Sequence, residues 1–390
     1  MKKGLLFVFD IFPSIGGVES VSNNIIDYLS EYFSIYTLSA CSLPGVPTSS
    51  YISEMFKFNS ILDIEGSVTQ LDNIIKEKKI EFIINQGIYP EITNIILHAN
   101  RTNGAKVYSF LHGMPKYEEK QYWQIPQIAN TSRLKLLKRK FLSKLNLYSN
   151  YKLYTKKYTD TYRKACQEGS KVILLCNEYI PIFIRKYQLQ KYQEKITSIE
   201  NPLSASFSIE KDIKWSDKKN KILFVGRLSK EKRVDIILDI WKCIETITDW
   251  ELTIVGNGET YSDLKNMVQK LQLSRVSFTG QVNHMEDYYK EAKMILLTSN
   301  FEGFPMCLIE AQRFGVVPIV FNISKGVSSI IKHGGGIIIN NHNKKVMSKK
   351  ILELIHDKNT LQHLSKEATI KSNRYTLNII GAQWLQLLSQ

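Results

Sequence analysis

The chain has 390 residues, 43% of them hydrophobic and 23% charged, with a formal net charge of +15. That length exceeds one comfortable core and that composition excludes a disordered chain, so two globular domains are expected. Five cysteines without a C-x-x-C pair argue against a disulfide framework or a zinc site and for a reducing cytoplasm, and no apolar run is long enough to span a membrane, which leaves peripheral contact as the expected membrane role.

The opening MKKGLLFVFD imitates a signal peptide, but Asp10 interrupts the apolar run, and a buried strand is the better reading. The next segment, PSIGGVESV (Pro13 to Val21), sets Gly16 and Gly17 ahead of a helix, where bare backbone could approach a diphosphate; a simple turn explains the pair equally well. Strand-like runs follow at SIYTLS, EFIIN, KVYSFLH, KVILLC and KITSIE, separated by segments of helical spacing such as Ser20 to Ser30 and Leu71 to Lys79. The alternation predicts α/β architecture, a parallel sheet wrapped by helices. His112 closes one of these strands and is a candidate ligand contact, although a lone histidine is more often structural.

Between Thr131 and Ala165, eleven Lys or Arg face one acidic residue, Asp160, so this segment carries most of the excess charge. Leu134, Leu137, Phe141, Leu145, Tyr148, Tyr151, Tyr154, Tyr158 and Tyr162 recur every three or four residues, which predicts one face of a long helix. The cations Arg133, Lys135, Lys138, Arg139, Lys140 and Lys144, with tyrosines as amphipathic anchors, suit an anionic bilayer surface or a lipid-linked diphosphate. A solvated helix packed by its tyrosines accounts for the same pattern. Nucleic acid is not an expected partner, because no recognition motif accompanies the charge.

After NPL (Asn201 to Leu203), a polar stretch ending near Asn220 reads as the interdomain linker, giving expected domains at 1–203 and 204–373 with a last helix at about 374–390. A second strand series follows: KILFVG, WELTIVG, RVSFTG, KMILLT, VVPIVF and GGIIIN. Ligands bind at the carboxyl ends of strands in such sheets, so two sheets facing each other would place a site in a central cleft. Directly after the first of these strands, FVGRLSKEKRVD (Phe224 to Asp235) offers Arg227 as a bidentate phosphate grip and Lys232 as a point charge, where a solvated charge run is the plainer alternative. After KMILLT comes SNFEGFPMCLIEA, with Glu302 and Glu310 eight positions apart around a Gly-Phe-Pro turn. Pro305 suits the first helical turn, and amides at a helix start form an anion site. Glu310 would lean back toward that anion and accept ribose hydroxyls, and Glu302 would accept those of a neighbouring sugar. A helix-dipole partner and a surface ion-pair residue explain the two glutamates as well.

Taken in order, GGVE, LHG, GRLSKEK, VGNGE, EGFPMCLIEA and GVVPIV resemble the motifs of glycosyltransferase family 4, the retaining group-1 transferases, from about Gly4 to about Ile339. The resemblance implies a GT-B fold, two Rossmann-like domains with parallel sheets facing a central cleft. It implies a nucleotide-sugar donor, with uridine the commonest base, and a glycan or lipid-linked glycan acceptor. Arg227 and Lys232 would clamp the diphosphate together with the amides of Gly303 and Phe304. Glu302 would meet the donor sugar, Glu310 the ribose, Gly17 the diphosphate and His112 the donor sugar. Retention would proceed by front-face attack, with no cofactor and, in the absence of a D-x-D sequence, no metal. A peripheral position on the inner face of the plasma membrane is consistent with the basic segment. VFNISKG departs from the family pattern at Asn322 and Lys325. An epimerase of the same fold and a catalytically dead donor-binding module remain rivals. A nicotinamide oxidoreductase is disfavoured, because GNGETY lacks the third glycine of the dinucleotide fingerprint.

Overall fold

The computed structural model describes residues 2–14, 16–116, 118–119, 136–207 and 213–390, with side chains described from 149 onward in the segment that begins at 136. It divides into two compact units, one of Met1–Ile199 with Trp384–Gln390 and one of Glu200–Gln383.

The first unit is built on seven parallel strands: β1 (Lys3–Ile11), β2 (Phe33–Cys41), β3 (Ile52–Lys57), β4 (Ile80–Asn85), β5 (Lys106–Leu111), β6 (Lys171–Leu174) and β7 (Ile196–Ser198). Their order is β3-β2-β1-β4-β5-β6-β7. Leu5, Leu6, Phe7 and Val8 of β1 are wholly buried, as a central strand covered on both faces requires. Helices Ile64–Glu77 and Pro90–Asn103 bury Leu71, Ile74, Ile75, Ile92, Ile95 and Ile96 against one face of the sheet. The six runs read as strands in this half are β1, β2, β4, β5, β6 and β7. β3 carries no such apolar run: this edge strand is mostly exposed, and its Glu54 and Lys57 hide the alternation. At the chain's end, helix Leu377–Leu388 sets Trp384 edge-on to Phe110, with ring centroids 5.5 Å apart, and the Tyr108 hydroxyl donates to the Leu387 carbonyl at 3.2 Å.

The long helix Leu136–Glu168 also belongs to this unit. In its second half Tyr162 is buried among Phe183 and Tyr187, and Tyr158 packs beside it, so this end of the apolar stripe is core. Lys157 pairs with Glu91 and Lys164 donates to Asn94 at 3.2 Å.

The second unit holds six parallel strands: β8 (Lys221–Val225), β9 (Glu251–Val255), β10 (Val276–Gly280), β11 (Met294–Leu297), β12 (Val317–Phe321) and β13 (Ile337–Ile339), ordered β10-β9-β8-β11-β12-β13. All six were legible as apolar runs. Helix Val234–Glu245 buries Val234, Ile237, Leu238, Trp241 and Ile244, the one-sided stripe that seats a helix on a sheet. The stretch read as a linker closes on this unit: Trp215 packs against its core and Lys218 is buried.

Strand order reverses between β1 and β4 in the first sheet and between β8 and β11 in the second. Such switch points splay the loops at the strands' carboxyl ends and open a crevice for ligands. The loops after β8 and β11 are the two segments that the sequence marks as carrying chemistry.

Candidate functional site

The loop after β8 is shaped by glycine. Gly226 and Gly256 have positive φ, and a Cβ on Gly256 would stand 2.0 Å from the Gly226 carbonyl. A Cβ on Gly258 would stand 2.3 Å from the carbonyl of Leu228. The GNG turn after β9 is thus a bare-backbone rest for the GRLSKEK loop, and two bonds fasten it: Leu228 N–H to Asn257 O at 2.9 Å and Thr260 N–H to Leu228 O at 3.0 Å. Lys230–Lys232 then forms one 3₁₀ turn, and Arg233 enters the next helix in a left-handed conformation.

The loop after β11 meets it. Asn300 N–H donates to Glu231 O at 2.7 Å and the Thr298 hydroxyl to Arg233 O at 2.9 Å. These bonds bring Lys232 and Glu302 together: Lys232 Nζ donates to Glu302 Oε1 at 2.6 Å, and the Ser299 hydroxyl donates to the same oxygen at 2.7 Å. Glu302 is 9% exposed, so its charge requires partners. Burial works against the charge on Lys232, but Glu302 more than offsets it and the ammonium pKa is raised.

The other predicted residues stand at different distances from this pair. Arg227 lies on the rim, its side chain 73% exposed and paired with Glu231 at 3.5 Å. Helix Met306–Arg313 starts one residue later than expected, with Pro305 as its N-cap rather than in its first turn. Gly303 is half-buried, and the Phe304 ring is buried edge-on to Tyr375, so only the Phe304 backbone is available to a ligand. Glu310 sits in the second turn, and its Oε2 accepts the Tyr289 hydroxyl at 2.9 Å. Burial pushes the Glu310 carboxyl up to about 7. Cys307 is within electrostatic reach of Glu302, Lys232 and Glu310.

In the first unit, Gly16 caps helix Gly17–Leu29 in extended backbone, and a Cβ there would meet the Glu19 carboxylate; at Gly17 it would meet nothing within 4 Å. His112 is half-buried after β5. Its Nε2 bonds Gln86 Oε1, its buried Nδ1 has no partner among the described residues, and burial pushes its pKa down to about 3, so the ring is neutral. Arg133 and Lys135 lie outside the described residues, as do the side chains of Lys138, Arg139, Lys140 and Lys144, whose backbone opens the helix Leu136–Glu168. Among the described residues no three His, Cys, Asp or Glu side chains gather into a metal-holding group, and no helix is long and apolar enough to cross a membrane.

Sequence reading passed over Ser299, Thr298, Glu231 and Tyr289. The first two carried a signal, small polar residues directly after a buried strand. The other two are visible only once the loops are folded.

Residues 206–371 match the family described as Glycosyl transferases group 1. Among curated proteins, the amylovoran biosynthesis glycosyltransferase AmsD of Erwinia amylovora is 29% identical over 45% of this chain and 50% of its own length. An α-1,4-N-acetyl-D-galactosaminyltransferase of Campylobacter jejuni, named for an undecaprenol-diphosphate-linked glycan, is 26% identical over 53% and 57%. The chain therefore spans about half the length of the curated relatives it matches. Among solved structures, HepE of Anabaena in complex with UDP superposes on all of this chain and all of its own, with a TM-score of 0.74 at 16% identity. That likeness extends the fold to the whole chain, two Rossmann-like units of the GT-B class. The paired loops at the switch point thus lie inside the stretch, residues 206–371, that resembles the glycosyl transferases group 1 family.

Proposed function

We propose that the protein is a retaining glycosyltransferase. In this reading it moves a sugar from a nucleotide-sugar donor, a UDP-sugar, to a glycan or lipid-linked glycan during surface-polysaccharide assembly. The observation that carries the proposal is the Lys232–Glu302 pair at the β8/β11 switch point, a half-buried cation and a buried carboxylate joined at 2.6 Å. A donor offers each a new partner, diphosphate oxygens for Lys232 and sugar hydroxyls for Glu302. Arg227 on the rim would close on the same phosphates, the backbone of Gly303 and Phe304 would line them, and Glu310 would take the ribose. Gly16, Gly17 and His112 keep the roles that the resemblance implies, with His112 as a neutral hydrogen-bonding partner of the donor sugar.

Charge develops on the diphosphate as the glycosidic bond breaks, and Lys232 and Arg227 would stabilise it in the leaving group. We read the step as needing no metal for that reason. The acceptor reading is supported by what the two relatives are named for, and the uridine reading by the UDP in HepE. Peripheral contact with an anionic membrane on the cytoplasmic side rests on the cationic sequence between Thr131 and Ala165.

The test is a thermal-shift screen of UDP-, GDP-, ADP- and CMP-sugars, followed by turnover with undecaprenyl-diphosphate-linked acceptors. Stabilisation by one nucleotide class and nucleotide release in proportion to acceptor glycosylation are expected. Absence of both for every donor sinks the proposal, and donor conversion without acceptor marks an epimerase instead.

A further inference from the structure

Glu310 is held from behind. Tyr289, which donates to its Oε2, is completely buried, with its ring stacked on Phe314 at 5.9 Å between centroids and tilted against Phe207 at 6.1 Å. A hydroxyl in such a slot is costly unless it is used, and phenylalanine would fill the same volume. The short helix that carries it, Met285–Glu291, is itself pinned. Lys218, 6% exposed, donates from Nζ to the carbonyls of Tyr289 at 3.1 Å, Lys290 at 3.3 Å and Ala292 at 2.7 Å. Glu291 further ties the helix end to Lys219 and Lys221, each at 2.6 Å. The hydroxyl that meets Glu310 thus comes from a buried ring packed in a cluster with Phe207 and Phe314 and a backbone held at three carbonyls.

We propose that Tyr289 is a positioning residue for the donor: it fixes one oxygen of Glu310, leaves the other for the ribose, and so sets the preference for ribonucleotides over deoxyribonucleotides. The inference rests on the reading of Glu310 as the ribose partner.

The electrostatics of the pocket act in the same direction. Burial raises the Glu310 pKa, the Tyr289 hydroxyl opposes that rise, and Glu286 on the same short helix adds to it. The remaining groups are Cys307, whose thiol burial keeps protonated, and Lys232 and Glu302, which interact electrostatically with that thiol. Without the Tyr289 hydroxyl, Glu310 holds its proton to higher pH and loses acceptor capacity at neutrality.

The experiment measures affinity for UDP and 2′-deoxy-UDP by calorimetry at pH 6.5 and 8.5 in the parent, Tyr289→Phe, Glu310→Ala and the double variant. Tyr289→Phe keeps the ring and its packing. It is expected to weaken UDP about tenfold at pH 6.5 and about threefold at pH 8.5, leaving 2′-deoxy-UDP nearly unchanged. On the Glu310→Ala background it should cost nothing further. Equal loss for both nucleotides, a loss independent of pH, or a loss that persists on the Glu310→Ala background overturns the inference. If Glu310→Ala itself leaves ribose discrimination intact, or the parent does not bind UDP, the donor-site reading falls first and this inference with it.

Discussion

Replacing Lys232 by alanine separates what the Lys232–Glu302 pair does for folding from what it does for binding. The substitution removes a 2.6 Å charge-assisted bond from a carboxylate that is 9% exposed, leaving Glu302 with the Ser299 hydroxyl. Orphaning one member of a fully buried pair costs about 3–5 kcal/mol. A fifth of the Lys232 side chain reaches solvent (21%) and Ser299 still serves the carboxylate, so about 2–3 kcal/mol is expected here. The loop should keep its course, because the bonds from Asn300 to Glu231 and from Thr298 to Arg233 are untouched. Adding Glu302→Gln removes the stranded charge and should return stability to within about 1 kcal/mol of the parent. UDP affinity should fall at least about tenfold in the single variant and stay low in the double. Urea denaturation gives the first quantity and UDP calorimetry the second. A single variant within about 0.5 kcal/mol of the parent, or a double variant no more stable than the single, refutes the reasoning about the buried pair. Undiminished UDP binding refutes the assignment of Lys232 to the diphosphate.

Glu302→Gln alone should abolish transfer while retaining UDP binding, since it frees Lys232 from its partner; product formation by mass spectrometry checks this. Gly256→Ala drives a methyl to 2.0 Å from the Gly226 carbonyl at a positive φ, so the GRLSKEK loop must shift; a stability loss of about 3 kcal/mol and weakened UDP binding should appear together in thermal melts. Glu310, held near 7 against an ordinary value of 4.5, stabilises the fold in its protonated form below about pH 4.5 and loses that contribution as pH rises through about 7. Relative to Glu310→Gln, the parent should therefore lose up to about 3 kcal/mol between pH 4.5 and 7.5 in urea titrations, and parallel curves would contradict the shift. Neutralising Lys138, Arg139, Lys140 and Lys144 together should weaken sedimentation with anionic liposomes, and unchanged sedimentation counts against the membrane reading.

The sheets were almost fully legible because buried parallel strands are continuous apolar runs, and KILFVG or KMILLT has no other good reading. β3 escaped because an edge strand is written for solvent: ISEMFK buries too little to show a period. The site was legible at its loops, since glycines and charges at strand ends are unusual, but not in its wiring. Lys232 and Glu302 are 70 residues apart, and nothing in either segment says that one ammonium meets one carboxylate. GNGETY was informative mainly for the glycine it lacks, whereas its glycines serve to let one backbone lie against another. Tyr289, in the polar helix MEDYYKE, gives no sign of burial, because its slot is made by Phe207 and Phe314 from distant parts of the chain. In the helix Leu136–Glu168 one period fits a membrane-facing stripe and a packed one alike, and the stripe goes into the core only at Tyr162, near its C-terminal end.

The ammonium and carboxylate joined across the two loops also bear on which anions the site would admit. A bare lysine would attract any phosphate in the cell, but here a simple anion gains Lys232 only by stranding Glu302 in a nearly dry place, and it brings nothing to satisfy that acid. A glycosyl diphosphate carries both signs of the exchange, oxygens for the base and hydroxyl protons for the acid. On the proposed reading, selectivity against small cellular anions would be set by making entry a swap of partners.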